Sequence, residues 1–96
     1  MAYKLTYHPQ ALITLEEIFD WSMEHHPGTT ESFGDSLFEH LDRLASFPRI
    51  GVIVQQRPGI RRLSHPPLHI YYRVDENRQV IEILRFRHVS RRAPRL

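Results

Sequence analysis

Two amphipathic helical segments follow one another in this chain with only a Pro-Gly step between them, and their combined apolar surface has to be covered by something else. In the first, Ala11, Leu12, Leu15, Ile18, Phe19 and Ser22 recur at spacings of three and four, the period of one face of an α-helix. Glu16, Glu17, Asp20 and Glu24 fall on the opposite, wet face. Pro9 suits the first helical position. Pro27-Gly28 stops the segment, after which the hydroxyl of Thr29 or Thr30 can cap the next helix. In that second helix Phe33, Leu37, Leu41 and Leu44 form the apolar stripe, flanked by Phe38 and Ala45, with Asp35, Glu39, Asp42 and Arg43 elsewhere on the cylinder. Phe47-Pro48 ends it. A short turn between two such helices predicts an antiparallel hairpin.

A sheet can supply the cover. Tyr3 to Tyr7 alternates large apolar or aromatic residues with polar ones, the period of a half-buried strand, and ends at His8-Pro9. Leu68 to Asp75 and Val80 to His88 are rich in β-branched and aromatic residues, and Glu76 to Gln79 is short enough for an antiparallel hairpin. A shorter strand around Ile60 to Ser64 is expected to precede them. Segment 49–59 is the least regular, and Val52-Ile53-Val54 leaves a strand or a loop equally open. The expected fold is therefore α+β in the order β-α-α-β-β-β: a strand, an antiparallel helix pair and a three-stranded antiparallel meander. With 96 residues there is room for one core, so residues 1–96 are expected to form a single domain with a basic tail over 89–96. Leu37, Leu41 and Leu44 are then core residues rather than a dimerisation zipper.

The net charge of +2 hides an uneven distribution. Residues 1–48 carry two bases against eight acids, a balance of −6; residues 49–96 carry eleven arginines against three acids, a balance of +8. Arginine's planar fork favours bidentate contact with carboxylate or phosphate, which predicts an acidic protein partner or a nucleic acid. Exposed ion pairs contribute about 0–1 kcal/mol each, so pairing with the acidic helices, though expected in part, does not account for so many arginines. The chain has no cysteine, which removes disulfides, thiolate metal sites and a cysteine nucleophile. The opening residues lack the apolar core of a signal peptide, and no run reaches the roughly 18 apolar residues of a membrane span. A cytoplasmic protein without membrane contact is expected.

Four stretches, taken in order, resemble the RelE/ParE toxin family: Pro48-Arg49-Ile50-Gly51, Gly59-Ile60-Arg61-Arg62-Leu63, Ile70-Tyr71-Tyr72-Arg73-Val74-Asp75 and Ile81-Glu82-Ile83-Leu84-Arg85-Phe86-Arg87-His88. The opening Tyr-x-Leu and the Pro-Gln-Ala-Leu helix start are also usual for that family. The resemblance implies the toxin half of a bacterial type II toxin–antitoxin module, which limits growth and stabilises plasmids. Its expected partner is a cognate antitoxin whose acidic, amphipathic C-terminal segment folds along the basic surface. Operator DNA would be reached only indirectly, through the antitoxin. Within the family, RelE-like members cut ribosome-bound mRNA, whereas ParE-like members act on DNA gyrase.

RNA cleavage through a 2′-hydroxyl needs proton transfer and cations around the phosphate; His88, His69, Arg61 and Arg85 are the candidates. Three departures weigh against that branch. Lys4 is the only lysine, His69 stands where RelE-like toxins usually carry arginine, and no tyrosine follows Tyr72. The ParE-like branch is therefore favoured: a non-hydrolytic gyrase inhibitor without a cofactor. It would bind its target through Arg85, Arg87, His88, Arg91, Arg92 and Arg95, and its antitoxin through Trp21, Arg61, Arg62 and Arg73. An inactive, antitoxin-binding module is the third alternative. His88 could instead simply end the last strand and bond backbone near Arg91. His25-His26 on a helix end and His65 and His69 about Pro66-Pro67 lack the spacing of a metal set, so no metal site is expected.

Overall fold

The computed structural model describes residues 2–89. Seven elements follow in order: β1 (Lys4–Tyr7), α1 (Pro9–His25), α2 (Pro27–Ser46), β2 (Val52–Ile53), β3 (Arg61–His65), β4 (Leu68–Asp75) and β5 (Val80–His88). The strands form one five-stranded sheet in the order β1-β5-β4-β3-β2. From β2 to β5 the pairing is antiparallel throughout. β1 instead lies parallel to β5, with Leu5 opposite Ile81 and Tyr7 opposite Ile83. The α+β order expected from sequence is present, with a two-residue β2 added: the segment whose form was open is a strand at Val52–Ile53 and a loop beyond it.

His8 caps α1 by accepting the Gln10 N–H on its Nδ1 at 3.0 Å, and Pro9 takes the first helical position. The break between the helices differs from expectation. Pro27 does not delay α2; it begins it, because a proline at the first position gives up an N–H that has no intrahelical partner anyway. Thr29 and Thr30 consequently lie inside the first turn and donate their hydroxyls back to the carbonyl of His26 at 3.2 and 3.0 Å instead of capping. Ser22 and Thr30 share a bond of 2.8 Å, and Phe19 meets Phe33 and Phe38, contacts that run antiparallel along the pair.

One face of the sheet is covered by the helices. The core joins Ala11, Leu15 and Ile18 of α1 and Leu37, Leu41 and Leu44 of α2 to Leu63, Leu68, Ile70, Tyr72, Ile81, Ile83 and Phe86. Leu12, expected on the buried stripe, is half exposed. At about 100° per residue it lies roughly 120° round the cylinder from Ile18, on the outer flank.

The register of β5 sets which side chains reach the other face. Tyr72 stands opposite Ile83 while Tyr71 stands opposite Arg85, so Leu84 is an extra residue, a β-bulge. Before it the odd positions Ile81 and Ile83 point toward the helices; after it the even positions Phe86 and His88 do, Phe86 in the core and His88 at its margin. Arg85 and Arg87 thereby turn to the uncovered face.

Candidate functional face of the sheet

Paired residues in an antiparallel ladder share a face, and neighbours along a strand alternate. Tyr71 is opposite Arg62 on one side and Arg85 on the other; His69 is opposite Ser64 and Arg87. Arg62, Arg73, Arg85 and Arg87 with His69 and Tyr71 therefore occupy the face that no helix covers. The four arginines are exposed. The loop after β2 adds Arg57, and a cleft of about 470 Å³ opens between Val54, Arg57, Ile60, Tyr71, Leu84, Arg85 and Arg87. His69 sits edge-on to Tyr71, with ring centres 6.4 Å apart. Partial burial, and then the neighbouring Arg62 and Arg87, push the His69 pKa below its ordinary value, so the imidazole is neutral near pH 7 while the groups around it are cationic.

Arg73 belongs to this face but is already engaged, donating to Glu82 at 2.6 Å. A larger cleft of about 750 Å³ lies beside that pair, between Lys4, Thr6 and the β4–β5 turn; its charges are mixed. Among the described residues the remaining ion pair is Arg49 with Glu76. None of the eight carboxylates on the helices pairs with an arginine of the sheet. Among the described residues the partial neutralisation expected from sequence is not seen, because the core stands between the two sets of charges.

Arg61 and His88 face the other way. Arg61 is opposite the buried Tyr72, and its guanidinium donates to the carbonyl of Gly51 at 2.8 Å. The Tyr72 hydroxyl donates to the Pro48 carbonyl at 2.8 Å and accepts the Gly51 N–H at 2.9 Å. These bonds fasten the Pro48-Arg49-Ile50-Gly51 stretch to the sheet. Gly51 is required there, since a Cβ would lie 2.6 Å from the Tyr72 hydroxyl and 2.9 Å from the Arg62 carbonyl. Burial raises the Tyr72 pKa, opposed by the Gly51 bond and by Arg61, and the phenol stays protonated.

His88 points toward α1, where it and Trp21, 6.4 Å apart between ring centres, line a cleft of about 340 Å³ with Ile18, His26, Phe33 and Pro67. The four residues considered for RNA cleavage are thus divided: His69 and Arg85 lie on the open face, Arg61 and His88 behind it. The antitoxin set divides as well, with Arg62 and Arg73 on the open face and Trp21 and Arg61 away from it. Arg91, Arg92 and Arg95, and any bond from His88 to backbone near Arg91, lie outside the described residues. His65 meets His40 of α2, Nδ1 to Nδ1 at 2.8 Å, and not His69. No group of three or more metal-ligating His, Asp or Glu occurs among the described residues.

Sequence reasoning passed over Arg57 and Tyr71. Tyr71 was within reach, because its parity in β4 matches His69 and Arg73. Arg57 was not, because it comes from an irregular loop.

A sheet backed by a helix pair is the α+β fold of the solved ParDE and RelBE toxins. The family model described as the ParE toxin of the type II toxin–antitoxin system parDE matches residues 5–93, and the chain belongs to that family. Among solved structures, the chromosomal ParDE system of P. aeruginosa superposes with a TM-score of 0.75 at 23% identity, over 92% of this chain and 97% of that one. The RelBE2 complex of Mycobacterium tuberculosis gives 0.64 at 20% identity, over 92% and 99%. The intact RelBE complex of E. coli gives 0.65 at 17% identity, over 94% and 100%. A search of curated proteins found no match. Among the described residues no helix is long and apolar enough to cross a membrane.

Proposed function

We propose that this chain is a gyrase-directed, non-hydrolytic toxin of the cytoplasm, held in check by a cognate antitoxin. The observation that carries the choice of target is the division of the RNA-cleavage candidates between two faces. On the open face His69 stands without a second proton-transferring group that titrates near neutral pH, and His88 lies behind the sheet with Trp21. What remains in front is an arginine surface around an aromatic centre, suited to hold an acidic or phosphate-bearing surface without chemistry. Arg85 and Arg87 are its central contacts; Arg91, Arg92 and Arg95 extend them along the chain.

The solved RelBE structures named above are toxin–antitoxin complexes, which supports the same partnership here. An acidic antitoxin segment would engage Arg62 and Arg73 and, passing round the domain, anchor an apolar side chain in the cleft beside Trp21. Arg61 would act through the loop it fastens.

Purified protein incubated with gyrase, ATP and plasmid tests the target. The expected result is lost supercoiling and gyrase-dependent linear DNA after the proteins are denatured; no effect from folded protein overturns it. One observation favours a second reading, ribosome-dependent mRNA cleavage: His69 is a neutral base beside Arg62, Arg85 and Arg87. That reading requires His69→Ala to abolish mRNA cleavage in cells while His88→Ala spares it.

A further inference from the structure

The eight carboxylates of the helix pair are all exposed, and the open-face arginines Arg57, Arg62, Arg85 and Arg87 lie across the core from them. Neither set meets an opposite charge within the described chain. The molecule is therefore electrically two-sided, and neither side can satisfy the other internally.

The acidic side is also apolar along its middle. Leu12, Phe19 and Met23 recur on one flank of α1 at i, i+7 and i+11, and Phe38 of α2 stacks on Phe19 with ring centres 6.3 Å apart. Leu12, Met23 and Phe38 are 50%, 57% and 47% exposed, which is high for side chains so close to a seam between helices. Glu16 and Asp20 border this strip on α1; Asp35 and Asp42, at i−3 and i+4 from Phe38, border it on α2. The open sheet face has the reverse pattern: an apolar centre of Tyr71 and Leu84 bordered by Arg57, Arg85 and Arg87.

We infer that the free protein associates with itself head to tail, the acidic helix seam of one copy seated on the arginine-bordered sheet face of the next. A second copy is the occupant that matches the seam in both respects, a basic border and an apolar middle. At about 4.8 Å between strands and 3.3 Å per residue, the five-stranded sheet measures roughly 20 by 25 Å, about 500 Å² in projection, and the loop that carries Arg57 has to add to it to approach the ~800 Å² per partner of a standard interface. Because the two surfaces differ, the contact is heterologous; a pair in contact still offers one free face of each kind, so assembly runs to short open chains or closes into a ring. The inference does not depend on gyrase as target. An acidic antitoxin segment and a second copy would compete for the same arginines, yet either can fail without the other.

Sedimentation of the full chain at low ionic strength, from about 1 to 100 µM, tests it. The apparent mass should rise from 11.5 kDa to at least twice that with concentration, and should return to the monomer as salt shortens the screening length from about 10 Å at 0.1 M toward about 3 Å at 1 M. Two variants locate the contact: Glu16→Gln with Asp20→Asn and Asp35→Asn on the helices, and Arg62→Gln with Arg85→Gln and Arg87→Gln on the sheet. Each alone should remain monomeric. Mixed, they should form a dimer that grows no further, because one keeps the basic face and the other the acidic one. All the substituted residues are exposed, and the far-ultraviolet circular dichroism of each variant checks that it is folded. A monomeric wild type across the range overturns the proposal. So does a mixture that stays monomeric while the wild type associates, which would mark a symmetric contact.

Discussion

The two faces of β4 and β5 share one backbone and differ in nearly everything else. Toward the helices, Leu68, Ile70, Tyr72, Ile81, Ile83 and Phe86 are at most 2% exposed. Toward solvent, His69, Tyr71, Arg85 and Arg87 alternate with them and touch no second layer. A period of two thus separates the residues that hold the domain together from those free to bind a partner. On the proposed reading, stability and partner binding fall to neighbouring positions and can be altered one at a time.

Truncating adjacent residues on opposite faces separates the two roles. Phe86→Ala removes a fully buried ring and should cost about 3–5 kcal/mol, a large part of a typical domain stability of about 5–15 kcal/mol. Arg85→Ala and Arg87→Ala, on either side of it, should stay within about 0.5 kcal/mol. Urea denaturation measures all three, and similar losses at positions 86 and 87 would mean that the open face is not open.

The next largest effect lies where the loop 48–51 is fastened. Tyr72→Phe leaves the Gly51 N–H and the Pro48 carbonyl without their partner and should cost about 1–3 kcal/mol. Gly51→Ala should cost about 1–3 kcal/mol by crowding. Since the two changes damage one contact, their effects should fall short of additive in a double-mutant cycle; full additivity would show that the hydroxyl does not hold the loop.

Most of the fold was legible because the helices and the long strands carry clear periods. Leu37, Leu41 and Leu44 read as core, and they are at most 1% exposed. The parallel seat of β1 beside β5 was not legible, since strand order is a tertiary choice that the pattern of either strand leaves open. Neither was the bulge at Leu84, which no glycine or proline announces. The bulge matters most for the site: strict alternation would put Arg85 and Arg87 on the face of Ile81, and only the extra residue sends them outward and His88 inward. A candidate set chosen by residue type, His69 with His88 and Arg61 with Arg85, therefore mixes two faces. Arg61 looked like a binding arginine because sequence does not reveal that a loop carbonyl 10 residues upstream accepts from it.

Arg85→Ala combined with Arg87→Ala should abolish growth inhibition on induction while shifting the denaturation midpoint little. Full toxicity from a stably folded double variant would move the binding surface elsewhere, with the cleft beside Trp21 the next place to test.

The smallest effect concerns acid. His40 and His65 meet Nδ1 to Nδ1 at 2.8 Å where α2 reaches the end of β3, with Ser36 Oγ 3.3 Å from the other ring nitrogen of His65 and Phe33 alongside. Burial lowers both pKa values first; Arg43 lowers His40 further, and His40 does the same to His65. As pH falls below 6.5, the ordinary value, the unfolded chain takes up these protons before the folded one does. Stability is therefore fully present above about pH 6.5 and is lost as pH drops toward the lowered folded values. Two neighbours cannot both be protonated at this distance without repulsion, so the pair should resist the second proton more than the first. Between pH 7.5 and 5.5 the wild type should lose more melting temperature than the variant carrying both His40→Gln and His65→Gln, by an amount on the order of a few °C. His69 provides the contrast across the sheet, its pKa lowered by burial and by Arg62 and Arg87. If His69→Gln removed the acid sensitivity and the double variant retained it, the protons would be taken up on the open face, and the contact between α2 and β3 would have no part in it.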